Sequence, residues 1–357
     1  MSFGISIYFG LDNSKEENLQ LLKQAKTLGF NRIFTSLHIP ETNYDILKKE
    51  VTNFLKVAKE YNMDIISDIS PNTFKFLGLN NLDLKSLKNF GIQTIRIDFG
   101  YSEKEIANIS RNPYNIKVQL NASTITKNFF NKLDNFNPNY NNIDSLHNFY
   151  PRRNTGISEK CLLEKNHLLK EKGIKVSAFV QSNNKKRSPL KDGLPTMEDH
   201  RDMSVYLASK HLYALGIDDI FIGDSMPSIK ELKDLSSLNK DIIELSMKPI
   251  TSDKTSLKLL NYTYTSRKDT SRDVIRTNES RLLLENNIIE KEKTSNRPYG
   301  SITIDNKDYL RYMGEIQILT TDLPRDERVN VVGNILKEER FLLKYITNNK
   351  KFKFRMV

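Results

Sequence analysis

The chain has 357 residues, 38% hydrophobic and 28% charged, enough to bury one large core or two unequal ones. No apolar run reaches the roughly eighteen residues of a membrane-spanning helix, and a single cysteine, Cys161, excludes an intramolecular disulfide or a thiolate metal cluster. The net charge of +11 is scattered among acidic residues, so a small anionic substrate accounts for it with fewer assumptions than nucleic acid. The densest basic runs are Lys185-Lys186-Arg187 and Lys350-Lys351-Phe352-Lys353-Phe354-Arg355. The start of the chain enters an apolar run with neither a charged leader nor a small-residue cleavage site, which makes a cytoplasmic location the expectation.

In chain order, the first predicted strand is Ile5-Ser6-Ile7-Tyr8, and Ser14-Lys15-Glu16-Glu17 has the spacing of a capping box that starts a helix. Gly29 ends that helix before the next strand, Arg32-Ile33-Phe34-Thr35-Ser36. The same helix, glycine, strand unit returns at Gly91, Gly173 and Gly216, ahead of strands at residues 94–98, 176–180 and 220–223. Three further strands fit at residues 65–68, 116–121 and 143–147, for a total of eight. Eight parallel units in about 240 residues, without a glycine-rich dinucleotide turn after the first strand, predict a (β/α)8 barrel over residues 1–240 rather than an open sheet. Past the helix that begins near Ser228 the texture changes. Short β-rich runs at residues 242–247, 262–265, 300–304 and 309–319, then a helical stretch over 331–346, predict a smaller β-rich domain over residues 241–357.

In such a barrel the strand C-termini build the active site. His38 and Glu41 follow the second strand, Asp68 and Asp98 end the third and fourth, Asn121 ends the fifth, His147 and Asn148 the sixth, Gln181 follows the seventh and Asp224 the eighth. Any one of these is explained equally well as a cap or a turn residue, but Asp68 and Asp98 come straight out of apolar runs. Converging carboxylates, amides and an imidazole suit acid–base chemistry on a sugar or polyol. Lys117 and Lys175 lie at strand starts, on the wrong side for a Schiff base. No phosphate-binding loop, zincin helix or nucleophile elbow occurs. A divalent metal on Asp68, Asp98, His147 and Asp224 is physically possible, but five histidines without tight ligand spacing argue for no metal and no cofactor. Two loops carry anion-binding chemistry: residues 147–156, with Tyr150 and Arg152, and residues 187–201, with Arg187 and Glu198. Thr196 is explained by a helix cap alone, while Arg272, Arg276 and Arg297 in the second domain are either surface charge or groups that close over an anionic substrate.

The segments Phe34-Thr35-Ser36-Leu37-His38-Ile39-Pro40-Glu41, Asn121-Ala122-Ser123-Thr124, His147-Asn148-Phe149-Tyr150-Pro151-Arg152, Thr155-Gly156, Gly193-Leu194-Pro195-Thr196 and Ile222-Gly223-Asp224 resemble the 6-phospho-N-acetylmuramidase family. So do residues 272–276, 300–306 and 326–333, and the likeness runs along essentially the whole chain. The resemblance implies a TIM barrel followed by a cyclophilin-like domain, and cleavage of a phosphorylated N-acetylmuramyl-N-acetylglucosamine disaccharide during cell-wall recycling. Arg153-Asn154 departs from relatives, which often carry Pro and an acidic residue there. A glycosidase needs a proton donor and a second carboxylate, for which Asp98 and Asp224 are the leading pair with Asp68 and Glu198 behind them. His38, Glu41, Asn121, His147, Asn148, Tyr150, Arg152, Arg187, Arg272, Arg276 and Arg297 are the candidate substrate ligands. The alternatives are a metal-dependent sugar-phosphate isomerase and a non-catalytic sugar-phosphate sensor; oligomeric state stays open.

Overall fold

The computed structural model describes residues 2–36, 44–68, 82–98 and 100–357. The chain divides into two compact units, Met1–Ser237 and Leu238–Val357.

In the first unit, β1 (Phe3–Ile7), β2 (Arg32–Ser36), β3 (Asp64–Asp68), β4 (Ile92–Ile97), β5 (Lys117–Asn121), β6 (Ile143–Leu146), β7 (Val176–Val180) and β8 (Asp219–Ile222) pair in parallel in that order. β8 returns to β1 to close the barrel. The helices are α1 (Lys15–Thr27), α2 (Tyr44–Glu60), α3 (Leu84–Asn89), α4 (Glu103–Ser110), α5 (Lys127–Asp134), α6 (Glu159–Glu171), α7 (Val205–Ala214) and α8 (Ile229–Ser236). Local chemistry fixes their starts. The capping boxes at Ser14 with Glu17 and at Ser228 with Glu231 are both formed, so each hydroxyl and carboxylate satisfies helix N–H groups that have no partner in the turn above. Gly29, Gly91, Gly173 and Gly216, which follow helices, all take the left-handed conformation that turns the chain into the next strand.

The barrel is filled, not hollow. Its middle is a cluster of Tyr8, Phe34, Ile66, Leu146, Phe179, Leu194 and Phe221. Gly4 leaves the space that Phe221 occupies, since a Cβ there would lie 2.0 Å from the ring. Below this cluster, at the strand starts, Arg32 bonds three carboxylates: Asp64 at 3.0 Å, Asp144 at 2.6 Å and Asp219 at 3.3 Å. Burial opposes the charge on Arg32, but the carboxylates, Asp144 foremost, hold its pKa above the ordinary arginine range. A polar depression of about 440 Å³ opens below this cluster, and Lys117 and Lys175 line it, on the face opposite the strand C-termini.

The second unit is a seven-stranded sheet in the order β10 (Thr263–Thr265), β15 (Lys351–Met356), β9 (Ile242–Pro249), β14 (Val329–Ile335), β12 (Ser301–Asp305), β13 (Ile316–Leu319), β11 (Val274–Arg276). All its pairs are antiparallel except β15 with β9. Two expectations need correction. The helix placed over 331–346 is instead β14 followed by a 3-10 run, Lys337–Tyr345, because the β-branched Val329-Asn330-Val331-Val332 segment is a pleated, buried strand. The strand placed over 309–319 begins only at Ile316; residues 307–312 form a 3-10 segment in which Leu310 is exposed and has positive φ. The basic tail is a strand: Phe352 and Phe354 are buried on one side, while Lys353 and Arg355 reach Glu244.

Replacing Arg32 by Met is expected to destabilise the protein by about 3 to 5 kcal/mol, because it leaves two buried carboxylates, Asp144 and Asp219, and the half-buried Asp64 without their counter-charge. Urea unfolding at pH 7 checks this, and an unchanged midpoint would show that the cluster does not hold the barrel closed.

Candidate active site

The strand C-termini place two carboxylates on one guanidinium. Arg96, on β4, is almost wholly buried and reaches Asp68 at 3.1 Å and Asp98 at 3.9 Å through the same Nη1. The two carboxylate oxygens therefore lie within about 7 Å of each other. The other Nη of Arg96 donates to Asn148 Oδ1. Asn121, at the end of β5, donates to Asp98 Oδ1 at 2.6 Å and is itself oriented by the Ser123 N–H at 3.1 Å. Asp68, Arg96, Asp98 and Asn148, with Phe34, Phe149 and Phe179, line a cleft of about 210 Å³. Asp98 also lines an adjoining hollow of about 150 Å³ with Tyr101, Asn121, Thr124 and Phe129. With 42% of its side chain exposed, Asp98 can reach a ligand directly.

His147 belongs to the framework behind this cleft. It is fully buried, with Ser123 Oγ 3.1 Å from Nδ1 and Asn166 Oδ1 3.0 Å from Nε2. Ser123 Oγ also accepts from the Asn148 N–H, so the imidazole holds the segment that presents Asn148 to Arg96. Burial, opposed by the Asn166 hydrogen bond, drives its pKa down to about 4.

Two carboxylates chosen from the sequence turn out to organise loops. Asp224 is buried and accepts the backbone N–H of Ser182 at 2.9 Å, Arg187 at 2.9 Å and Leu194 at 3.2 Å. Burial raises its pKa against those three donors. Glu198 accepts the N–H of Asn154 and of Gly156, both at 2.8 Å, and binds Arg201 at 2.6 and 2.9 Å. The Arg201 hydrogen bonds, opposed by partial desolvation and joined by the two N–H groups, bring its pKa down to about 2. A Cβ on Gly156 would fall 2.5 Å from the Glu198 nitrogen, which is why a glycine stands there. Arg201 also donates to the carbonyls of Tyr150, Arg152, Asp192 and Gly193, stitching the two loops together. Asp98 and Asp68 thus share one guanidinium, while the oxygens of Asp224 meet three backbone N–H groups.

His38 and Glu41 lie outside the described residues. Tyr150 is half-buried with its N–H on the Pro195 carbonyl, and Arg152 is exposed. Arg187 stacks on Tyr8 and Phe149. Thr196 caps no helix: its Oγ1 donates to the Asn148 carbonyl and accepts the Phe179 N–H, both at 2.9 Å, tying β7 to the loop after β6. The three arginines of the second unit are occupied there, Arg272 by Asp273, Arg276 by Glu315, and Arg297 through Nε by the Pro324 carbonyl. The four groups considered for a metal are dispersed by these contacts, and among the described residues no three or more His, Cys, Asp or Glu side chains form a group that could hold a metal ion. Sequence reading missed Arg96 and Arg201. Arg96 could have been found two residues before Asp98, on the same pleat of its strand.

Family models place this arrangement. The model described as 6-phospho-N-acetylmuramidase, N-terminal, matches residues 3–237, and its C-terminal counterpart matches residues 243–355. The chain belongs to the 6-phospho-N-acetylmuramidase family. Two solved structures are similar over the full length. One, an uncharacterized protein from B. cereus, is 29% identical with a TM-score of 0.89, covering 99% of each chain. The other, a conserved Enterococcus faecalis protein of unknown function, is 34% identical with a TM-score of 0.72, covering 100% of this chain and 96% of that one. No curated protein matches the chain. The segments that first resembled 6-phospho-N-acetylmuramidases, Asn121 to Thr124, His147 to Arg152, Thr155-Gly156 and Gly193 to Thr196, are those that carry Asp98, present Asn148 and clamp the two loops.

Two consequences for pH follow from the half-buried Glu198 and the buried imidazoles. Glu198 loses its clamp only when protonated, so its contribution to stability is complete above its ordinary pKa of 4.5 and vanishes as the pH falls toward 2. Glu198→Gln is expected to lower stability at pH 7 by about 1 to 3 kcal/mol and to flatten the acid-induced loss between pH 4.5 and 2 in thermal melts. For His147 and for His200, which burial brings to about 3, the unfolded chain binds protons near pH 6.5 and the folded one does not. Imidazole chemical shifts are expected to show both neutral at pH 5.5, and a His147 that titrates near 6.5 would contradict its burial.

Proposed function

We propose that the barrel hydrolyses the glycosidic bond of a 6-phosphorylated N-acetylmuramyl-N-acetylglucosamine disaccharide, in the cytoplasm, as a step of cell-wall recycling. Membership in the family supports glycosidase chemistry. The observation that carries the reading to named residues is the pair Asp68 and Asp98 on Arg96, with Asp98 in the wall of two adjoining hollows. A carboxyl between two sugar-sized spaces is where a glycosidic oxygen must sit for protonation.

In this reading Asp98, oriented by Asn121, gives its proton to the leaving oxygen as the bond to the anomeric carbon breaks. Asp68, held on Arg96, is the second carboxylate and meets the positive charge that develops on the sugar ring. Water supplies the hydroxyl to the anomeric carbon and returns a proton to the acid. Arg96 fixes both carboxylates in the geometry that this division of labour needs. Phe34, Phe149 and Phe179 give the cleft an apolar wall, on which a sugar ring packs.

The purified protein is to be incubated with the phosphorylated disaccharide and with its unphosphorylated form, with and without chelator, and products followed by mass spectrometry. Cleavage of the phosphorylated form alone, unaffected by chelator, is expected. Asp98→Asn and Asp68→Asn should each lower kcat by about 100- to 10,000-fold with smaller changes in KM. Failure of the wild type to cleave either compound would overturn the assignment, and full activity of Asp98→Asn would move the chemistry to other groups.

A further inference from the structure

Arg187 is placed differently from most arginines of the barrel. Arg32 meets three carboxylates, Arg96 meets Asp68 and Asn148, Arg153 meets Asp192 and Asp202, and Arg201 meets Glu198. The Arg187 guanidinium instead lies over two aromatic rings, 4.8 Å from the centroid of Tyr8 and 5.0 Å from that of Phe149. No carboxylate among the described residues lies within ion-pair distance of it, and its Nε is buried without an acceptor. Ring contacts stabilise the positive charge but satisfy none of the in-plane N–H donors.

The position is nonetheless built. The Arg187 main-chain N–H is anchored on Asp224 Oδ1 at 2.9 Å, which fixes where the side chain starts. The Tyr8 ring beneath it is buried and pinned by its hydroxyl, which donates to the Gly223 carbonyl at 2.7 Å. Phe149 links this arginine to the cleft, because the same ring lines the space that holds Asp68 and Asp98. Two carboxylates against one guanidinium leave that cleft with a negative balance, and the Nη groups of Arg96 are already engaged. An anionic sugar bound there requires a separate cation at the mouth.

We propose that Arg187 is the anion-recognition residue of the barrel mouth, and that its guanidinium fork takes an oxyanion carried by the sugar bound against Phe149, either a phosphate monoester or a carboxylate. Both are substituents of the substrate proposed above, on which this assignment rests, and a fork of N–H donors recognises either one bidentately. Phe149 and Tyr8 hold the guanidinium in place before the ligand arrives, which lowers the ordering cost of binding.

The test separates the two anions and separates this assignment from hydrolysis. Calorimetric titration of the full chain would use N-acetylglucosamine 6-phosphate, N-acetylmuramic acid and neutral N-acetylglucosamine. The wild type is expected to bind at least one anionic sugar about 10- to 100-fold more tightly than the neutral one, and the preferred ligand names the anion. Arg187→Met should abolish that preference. Arg187→Lys, which keeps the charge without the fork, should retain part of it, and thermal melts confirm that both variants are folded. A wild type that shows no preference for either anionic sugar, or a folded Arg187→Met that keeps the full preference, overturns the proposal. With the phosphorylated disaccharide, Arg187→Met should raise KM more than it lowers kcat. If the wild type binds anionic sugars through Arg187 yet cleaves nothing, the hydrolase reading fails and the anion site stands. Cleavage by the wild type with KM unchanged in Arg187→Met has the opposite meaning.

Discussion

Inside a closed eight-stranded barrel every second residue of each strand points at the strands opposite, and the space is just wide enough for side chains to fill. That constraint organises the barrel unit of this chain into layers. On β3 the inward residues are Asp64, Ile66 and Asp68; on β6 and just after it they are Asp144, Leu146 and Asn148; on β2 they include Arg32 and Phe34. The lowest layer is ionic, the middle apolar and the upper one polar again. Arg32 can reach Asp144, four strands away, only by crossing the interior, and it stacks on Phe221 of the apolar layer as it does so. The middle layer closes the barrel beneath the cleft, so the upper polar groups meet one another and whatever enters from the mouth.

Above the strands, the architecture depends on a few charges that are used up. Asp224 collects three backbone N–H groups and Glu198 two, together with a guanidinium. A loop has few backbone partners of its own, and a buried carboxylate that accepts several N–H groups replaces them at one point. The two long loops become walls in this way. Saturation also separates structural carboxylates from those available for chemistry. Glu198 has its oxygens filled by donors, whereas Asp98 has one amide at 2.6 Å, a guanidinium at 3.9 Å and an open side. Gly156, Gly193 and Gly223 are therefore recognisable in the sequence for reasons of loop geometry, since a Cβ at each would meet Glu198, Gln181 or Leu194.

Much of the barrel was legible because its signals are local. Capping boxes at Ser14 and Ser228 and the left-handed glycines act within a few residues, and eight strands separated by such punctuation leave little choice of fold. The choice among Asp68, Asp98, Asp224 and Glu198 was not legible, because it depends on which oxygens the backbone of distant loops fills. Arg96 was hidden by its position in an otherwise apolar run, where its partners come from β3 and from beyond β6. In the second unit the tail stands out in the sequence as a dense basic run, although Lys351-Phe352-Lys353-Phe354-Arg355 alternates with the period of a strand and places both aromatics inside. Charge density drew attention away from the alternation.

The carboxylate pair itself depends on one irregularity of register. Between β3 and β4, Ile65 is partnered with Ile92 but Ile66 with Thr94, so β4 advances two residues while β3 advances one. Beyond that point Asp68 stands opposite Arg96, and Thr94 turns inward to bond Asp64 at 2.9 Å. Without the extra residue Asp68 would be partnered with Ile95, and the inward set of β4 would change from Thr94, Arg96 and Asp98 to their neighbours. A shift of one residue exchanges the two faces of a strand. The guanidinium and the exposed carboxylate would then be pressed into the apolar layer beneath the helices, where Ile95 is now fully buried. The side-chain amide of Gln93, the residue spare at the irregularity, donates to the Met63 carbonyl at 3.1 Å and ties the bulge to the chain just ahead of β3. The grouping of Asp68, Arg96 and Asp98 at the top of the barrel is in this sense decided at its base, five residues before Asp98 on β4.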